Sequence, residues 1–248
     1  MLDRKRRFAT RCARCDNPPM ITLYSYPELF GVADNNPYGL KTFAFLKLSR
    51  LPFQHEHIFD AKAAPRAQLP YLKDDDHEVG DSDAIVAYLT QKYALSLDSK
   101  LTPAQRTTEH FIRRTLDDLY WVMSYSRWSD AEFWPIFKSE MLRTHPILTD
   151  AGMEAARKYN FERYYYQGIG RYEREQVYAR GLADLGAISS SMPREGFFFG
   201  AEPSTVDASV YGFLANIFFY PIDTPLKRFV SSDEGLVRHC RSVHSHVS

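Results

Sequence analysis

Strand-like patterning stops at residue 80, and that boundary limits the folds open to this chain more than any composition figure does. Ile21 to Tyr26 (ITLYSY) is a short run of β-branched and aromatic residues. The breaker-rich loop FGVADNNPYG follows, and Leu40 to Leu48 then has helical spacing, with Leu40, Phe43 and Leu46-Lys47 along one side. Pro52 opens a second strand, FQHEHIF, which puts Phe53, His55, His57 and Phe59 on one face. After a short connection over Asp60 to Arg66, PYLKD and HEVG read as a hairpin across an acidic turn. A helix from Ser82 to Tyr93 closes the unit, with Ile85, Tyr88 and Leu89 as its buried face.

A strand–helix–strand unit joined to a hairpin and a final helix, in about 75 residues, is a thioredoxin-like arrangement. Everything after Pro103 reads as helix. Thr102-Pro103 is a helix start with proline in the first turn. The run from Ala104 to Trp128 reads as helix, with Phe111, Leu116, Leu119, Tyr120 and Met123 as its apolar positions. A further long helix runs from Asp150 to about Leu185 and carries Tyr159, Phe161 and Tyr164 to Tyr166. Beyond a glycine-rich break, Ser204 to Asp207 has the form of a capping box and opens the apolar helix ASVYGFLANIFF. The expected fold class is therefore an α/β thioredoxin-like N-terminal domain (20–94), a linker (95–102) and an all-α C-terminal domain (103–248).

Residues 1–19 stand apart. MLDRKRRFATRCARC carries six basic residues and one acid, a net +5 against −5 for the rest of the chain. A disordered tail, a start upstream of a true one at Met20, and an organelle transit peptide all fit that composition. Cys12 and Cys15 have redox or half-zinc-site spacing, but no second ligand pair exists and no strand precedes them, so neither metal nor thiol chemistry is expected there. Three cysteines make no disulfide framework, which points to a reducing, cytoplasmic setting, or a mitochondrial one if the extension is a transit peptide. Lys plus Arg equals Asp plus Glu at 31 each, so no global charge steers the chain toward nucleic acid. No apolar run approaches the roughly 20 residues of a transmembrane helix.

The stretch LPYLKDDDHEVGDSDAIVAYL, Leu69 to Leu89, is where a ligand is expected. A short strand opens on Pro70, turns through acids, and gives way sharply to a helix at Asp81-Ser82. A helix N-terminus offers unpaired N–H groups and the positive end of the dipole, so a carboxylate is favoured there. Ser82 can add a hydroxyl donor, and Asp81 can take an ammonium group. The plainer alternative is that one of the two merely caps the helix, which contributes about 1 kcal/mol and needs no ligand. Asp74, Asp75, Asp76 and Glu78 lack the alternation and central glycine of a calcium loop and read as a solvated turn.

Leu69-Pro70-Tyr71-Leu72, then Asp81-Ser82 with Ala84-Ile85 and Tyr88-Leu89, and finally the Ser204-x-x-Asp207 box resemble, in this order and spacing, the soluble glutathione transferase superfamily. Within it, Arg127-Trp128, Gly168-Ile-Gly170-Arg171 and the FFFG before the box look most like the branch of metaxins and failed-axon-connections proteins. The resemblance implies a cis peptide before Pro70, backbone pairing of Leu69 with the cysteinyl part of glutathione, and a γ-glutamyl site at Asp81 and Ser82. It also implies glutathione as co-substrate, a small hydrophobic electrophile as second substrate, and a homodimer.

Catalytic relatives place a Tyr, Ser or Cys where it can stabilise the glutathione thiolate. Here the slot before Pro37-Tyr38 holds Asn36, and Gly39 stands where a second cysteine would sit, so disulfide exchange through this helix is excluded. Asn36 can donate an amide N–H to a thiolate, as can Asn35 if the register shifts by one; both also fit a plain turn and helix cap. Tyr24 and Tyr26 are rival donors, expected on one sheet face by their alternation with Leu23 and Ser25. The resemblance puts the acceptor pocket near Tyr120, Tyr125 and Trp128. Two functions stay open: a glutathione-conjugating or -reducing enzyme, and a non-catalytic interaction module on the same scaffold.

Overall fold

The computed structural model describes residues 21–248; the basic extension with Cys12 and Cys15, and the start at Met20, lie outside them. Strand β1 (Ile21–Ser25) lies inside a sheet of order β2-β1-β3-β4, parallel to β2 (Phe53–His57) and antiparallel to β3 (Tyr71–Asp74), which pairs with β4 (His77–Gly80). The parallel β1–β2 step needs a crossover, supplied by helix α1 (Pro37–Leu48). Helix α2 (Ser82–Lys92) follows β4 directly. Ile21, Leu23 and Leu72 join Leu40, Phe45, Ile85 and Leu89 in one buried cluster. The opposite face of β1 and β3 carries Tyr24 stacked on Tyr71, centroids 4.5 Å apart and both only half-buried.

The sheet agrees with the strand order read from sequence, with two local differences. β2 ends at His57, where the exposed edge no longer rewards the alternation expected through Phe59. In α2, Val86 is buried and Tyr88 is half-buried, because the Tyr88 hydroxyl turns to Asp74, 3.2 Å away.

The rest is helical: α3 (Pro103–Trp128), α4 (Trp134–Thr144), α5 (Asp150–Gln167), α6 (Arg174–Ser191), α7 (Thr205–Phe218), α8 (Pro225–Ser232) and α9 (Glu234–Val247). A Thr102–Gln105 capping box opens α3. Its buried stripe is Ile112, Leu116, Leu119 and Met123; Phe111, expected in it, is 64% exposed, one position off the i, i+4, i+7 register. The single helix expected from Asp150 to Leu185 is two. Gly168 takes a left-handed φ of +109°, a conformation glycine adopts without penalty, and Ile169–Arg171 makes one tight turn before α6.

Helix α7 is buried from Thr205 to Ile217 and packs on α1, α3, α8 and α9, which makes it the axis of the molecule. Its start is a buried capping box: Asp207 Oδ2 accepts from Ser204 N–H at 2.8 Å and from its hydroxyl at 2.7 Å, while Oδ1 meets Phe198 N–H at 3.0 Å and His239 Nε2 at 2.9 Å. Gly212 allows α7 to approach α1 closely, since a Cβ there would lie 2.5 Å from the Pro37 carbonyl oxygen.

Candidate functional site

Two cavities adjoin where the domains meet. The larger, about 520 Å³, is polar and lies over the sheet ends: Gln68, Leu69, Pro70, Asp81 and Ser82 line it from the first domain, Arg114, Asp117 and Trp121 from α3. The other, about 320 Å³, is mostly apolar and lies within the helical domain, among Met123, Trp128, Phe137, Met141 and Met153, with Phe59 at its first-domain side. Tyr26, Asn36, Tyr120, Tyr159 and Arg163 line both.

In the polar cavity the Leu69–Pro70 bond is cis. Asp81 is the N-cap of α2, its Oδ1 accepting from Asp83 N–H at 2.9 Å and Ala84 N–H at 3.1 Å. The cap alternative is therefore real, but it uses one oxygen only; Oδ2 has just an exposed Arg66 at 3.8 Å. Asp81 also holds a positive φ of +83°, unfavourable for a residue with a Cβ, which turns its carboxylate back over its own helix. Ser82 is the first residue of α2 and buried, and its Oγ lies 3.3 Å from the buried Lys41 Nζ. With the ammonium donating to that oxygen, the hydroxyl proton is left for an incoming carboxylate. Lys41 also pairs with Asp83. Burial works to raise the Asp83 carboxyl, but Lys41, Arg113 and Arg114 outweigh it and hold it below the ordinary range.

At the junction, Asn36 caps α1: its Oδ1 accepts from Tyr38 N–H at 3.0 Å, which leaves the Nδ2 protons uncommitted. Asn35 is differently placed. Its Nδ2 donates to the Pro27 carbonyl at 2.9 Å and its own carbonyl accepts from Arg127, so the uncommitted amide belongs to Asn36. Tyr26 is half-buried, and burial, with Tyr120 and Asp34 adding to it, pushes its phenol up to about 12, so it stays a proton donor at neutral pH. Tyr24 does not share its face. β1 ends at Ser25, so the alternation stops before Tyr26, and Tyr24 remains on the outer face against Tyr71, at neither cavity.

Tyr120 and Trp128 line the apolar cavity. Tyr125 does not; it points toward Tyr164 and Tyr178, with ring centroids 6.2 Å from each. Sequence reasoning missed Tyr159 and Arg163, one turn apart on α5, because an uninterrupted helix through residue 185 offered no way to choose its inward face. It also missed Asp34, fully buried two residues before Asn36 and accepting from Asn36 N–H at 2.6 Å. Among the described residues, no group of acids, histidines or cysteines could hold a metal ion, and no helix is long and apolar enough to cross a membrane.

Comparison with known proteins agrees with this geometry. Residues 37–133 match the model of the glutathione S-transferase N-terminal domain, and 181–243 that of the glutathione S-transferase C-terminal domain. The chain is 28% identical over 232 residues to isoprene-epoxide–glutathione S-transferase of Rhodococcus sp. (strain AD45), covering 90% of this chain and 98% of that one. It is 26% identical over 252 residues to Failed axon connections of Drosophila melanogaster, covering 92% of this chain but 56% of the relative. Among solved structures, glutathione transferase GSTFuA3 of Phanerochaete chrysosporium superposes with a TM-score of 0.61 at 17% identity, covering 92% of this chain and 97% of that one. The beta-etherase LigF of Sphingobium sp. strain SYK-6 gives 0.60 at 17% identity, over 91% and 99%. At these identities the two structures speak for the fold alone.

Proposed function

The chain belongs to the glutathione S-transferase superfamily, and on that premise we propose that it binds glutathione in the polar cavity and joins its sulfur to a hydrophobic electrophile held in the apolar one. The observation that carries this reading is the meeting of the two cavities at Asn36, Tyr26 and Tyr120. A bound peptide's γ-glutamyl carboxylate goes to Ser82 and the start of α2, its ammonium to the free oxygen of Asp81, and its cysteinyl backbone to Leu69. The thiol then falls at Asn36. The Nδ2 amide and the positive end of α1 favour the thiolate over the thiol.

The similarity to an isoprene-epoxide transferase directs the choice of electrophile toward small epoxides. The thiol proton leaves to water, the thiolate attacks a ring carbon, the C–S bond forms as the C–O bond breaks, and the oxygen takes a proton from the Tyr26 phenol, which water restores. A homodimer is part of the proposal, on the family's usual assembly.

The test is calorimetric titration with glutathione, followed by conjugation assays on small epoxides. One saturable site per chain and an epoxide-dependent loss of free thiol are expected. The second reading, an interaction module without chemistry, is favoured by the similarity to Failed axon connections and by the lack of a Cys, Ser or Tyr in the slot held by Asn36. It predicts no heat at millimolar glutathione. Light scattering at the mass of one chain would remove the dimer.

A further inference from the structure

Asp34 has no counterpart in that account, and its surroundings are unusual. It is fully buried, and its backbone carbonyl is fixed by Asn216 Nδ2 at 3.1 Å. Its Oδ1 takes one hydrogen bond, from Asn36 N–H, while Oδ2 has no hydrogen-bond partner. The space for Oδ2 is provided by Gly39 in the first turn of α1, where a Cβ would lie 1.6 Å from it. A buried carboxylate needs several donors or a close cation to offset lost hydration. One N–H is far short of that.

We propose that Asp34 positions Asn36 for the thiolate, and that it does so as an uncharged carboxylic acid. This rests on the glutathione reading of the site. A negative charge directly behind Asn36 would oppose a thiolate in front of it and weaken the positive end of α1. The neutral acid holds the same N–H without that repulsion.

The groups around Asp34 are mostly neutral. From the end of β1, Ser25 and the N–H of Tyr26 face it without reaching hydrogen-bonding geometry on Oδ2, and the Tyr26 phenol lies nearby. From β2, His55 enters only through Ser25, its Nε2 2.7 Å from Ser25 Oγ; burial and His57 lower it to about 4, which leaves it uncharged near neutrality. From α7 comes the Asn216 amide, and from α3 Arg127, whose two arms donate to the Asn35 and Asn216 carbonyls. Burial dominates, and it pushes the Asp34 carboxyl up to about 8 against the opposing pull of Ser25, Asn36, Tyr26 and Arg127.

The experiment is the pH dependence of conjugation in the wild type, Asp34→Asn and Asp34→Ala, together with NMR titration of the Asn36 backbone amide in the ligand-free protein. Asparagine can accept the same N–H and cannot ionise. The wild-type rate should fall as the pH rises through about 8, and Asp34→Asn should lack that fall. Asp34→Ala, with Asn36 unanchored, should lower kcat about tenfold while the KM for glutathione changes much less. The Asn36 amide should titrate with a midpoint near 8 in the wild type and stay flat in Asp34→Asn. An alkaline fall surviving in Asp34→Asn, or an Asn36 amide flat across that range in the wild type, overturns the proposal. If glutathione gives no heat, the functional reading fails by itself, and the amide titration still decides whether Asp34 controls Asn36.

Discussion

Arg127 Nη2 donates to the Asn216 backbone carbonyl at 2.6 Å and to its side-chain oxygen at 3.1 Å. The other arm of the same guanidinium reaches the Asn35 carbonyl, and its plane lies over the Tyr220 ring, 4.3 Å from the centroid. One buried side chain thus ties α3 and α7 to the loop that carries Asn36. Arg127→Met should leave those carbonyls unpaired and cost about 3 kcal/mol, given 1.5–3 for a hydrogen bond to a charged group. Arg127→Lys should recover little, since a single ammonium cannot span the fork. Urea denaturation of the three proteins checks this, and equal stability of Arg127→Met and wild type would refute it.

Asp81 does two jobs that substitutions can separate. Asp81→Asn keeps an oxygen for the Asp83 and Ala84 N–H groups, so stability should hold within about 0.5 kcal/mol. It removes the charge proposed to meet the ligand's ammonium, so glutathione affinity should fall about tenfold. Asp81→Ala should lose affinity and about 1 kcal/mol of stability together. Ser82→Ala should weaken binding with α2 intact. Calorimetry beside thermal melts distinguishes these patterns, and unchanged affinity in both Asp81→Asn and Ser82→Ala would mean the N-terminus of α2 holds no ligand.

Two buried carboxyls make stability depend on pH in opposite directions. At Asp207 burial works to raise the carboxyl, but His239 and the N–H groups of Phe198 and Ser204 hold it below its ordinary range. Its stabilisation is present above the unfolded value of about 3.9 and is lost as the pH falls through the lower folded value. Asp34, raised to about 8, binds a proton in the folded chain that the unfolded chain has released. Stability should therefore decline as the pH rises from about 4 toward 8, and Asp34→Asn should flatten that decline. Unfolding free energies of the wild type and Asp34→Asn between about pH 4 and 8, and of the wild type and Asp207→Asn below about pH 4, carry the test; identical slopes within either pair would contradict it.

The strand order and the sharp start of α2 at Asp81-Ser82 were legible because they are local. Pro70, the acidic turn and Asp81-Ser82 fall within thirteen residues and obey cap and turn chemistry. The choice between Tyr24 and Tyr26 was not, because it depends on β1 ending at Ser25, and β1 gives no breaker until Pro27. The break at Gly168 is masked in sequence because the tyrosines on either side continue a helical pattern. Asp34 was hidden for a different reason. In sequence it is one more polar residue in a loop, and only the packing of α1 and α7 makes it a buried acid.

That packing gives the sharpest contrast for one substitution made twice. At Gly212 a Cβ would lie 2.5 Å from the Pro37 carbonyl oxygen and 2.8 Å from Lys41 N, both backbone atoms that cannot swing away. Gly212→Ala must push α7 from α1, and a cost of about 3 kcal/mol is expected, at the upper end for overpacking. Because Asn36 caps α1 and α7 carries Asn216, the same shift should also loosen the junction of the two cavities and lower the proposed conjugation. At Gly186, inside α6, the nearest atom to a Cβ is Phe229 Cζ at 4.0 Å, an ordinary contact. There Gly→Ala should stabilise by about 0.5–1 kcal/mol through helix propensity alone. Denaturant midpoints of the two variants should move in opposite directions from the wild type. If Gly212→Ala is as stable as Gly186→Ala, the close approach of α1 to α7 does not exist in solution.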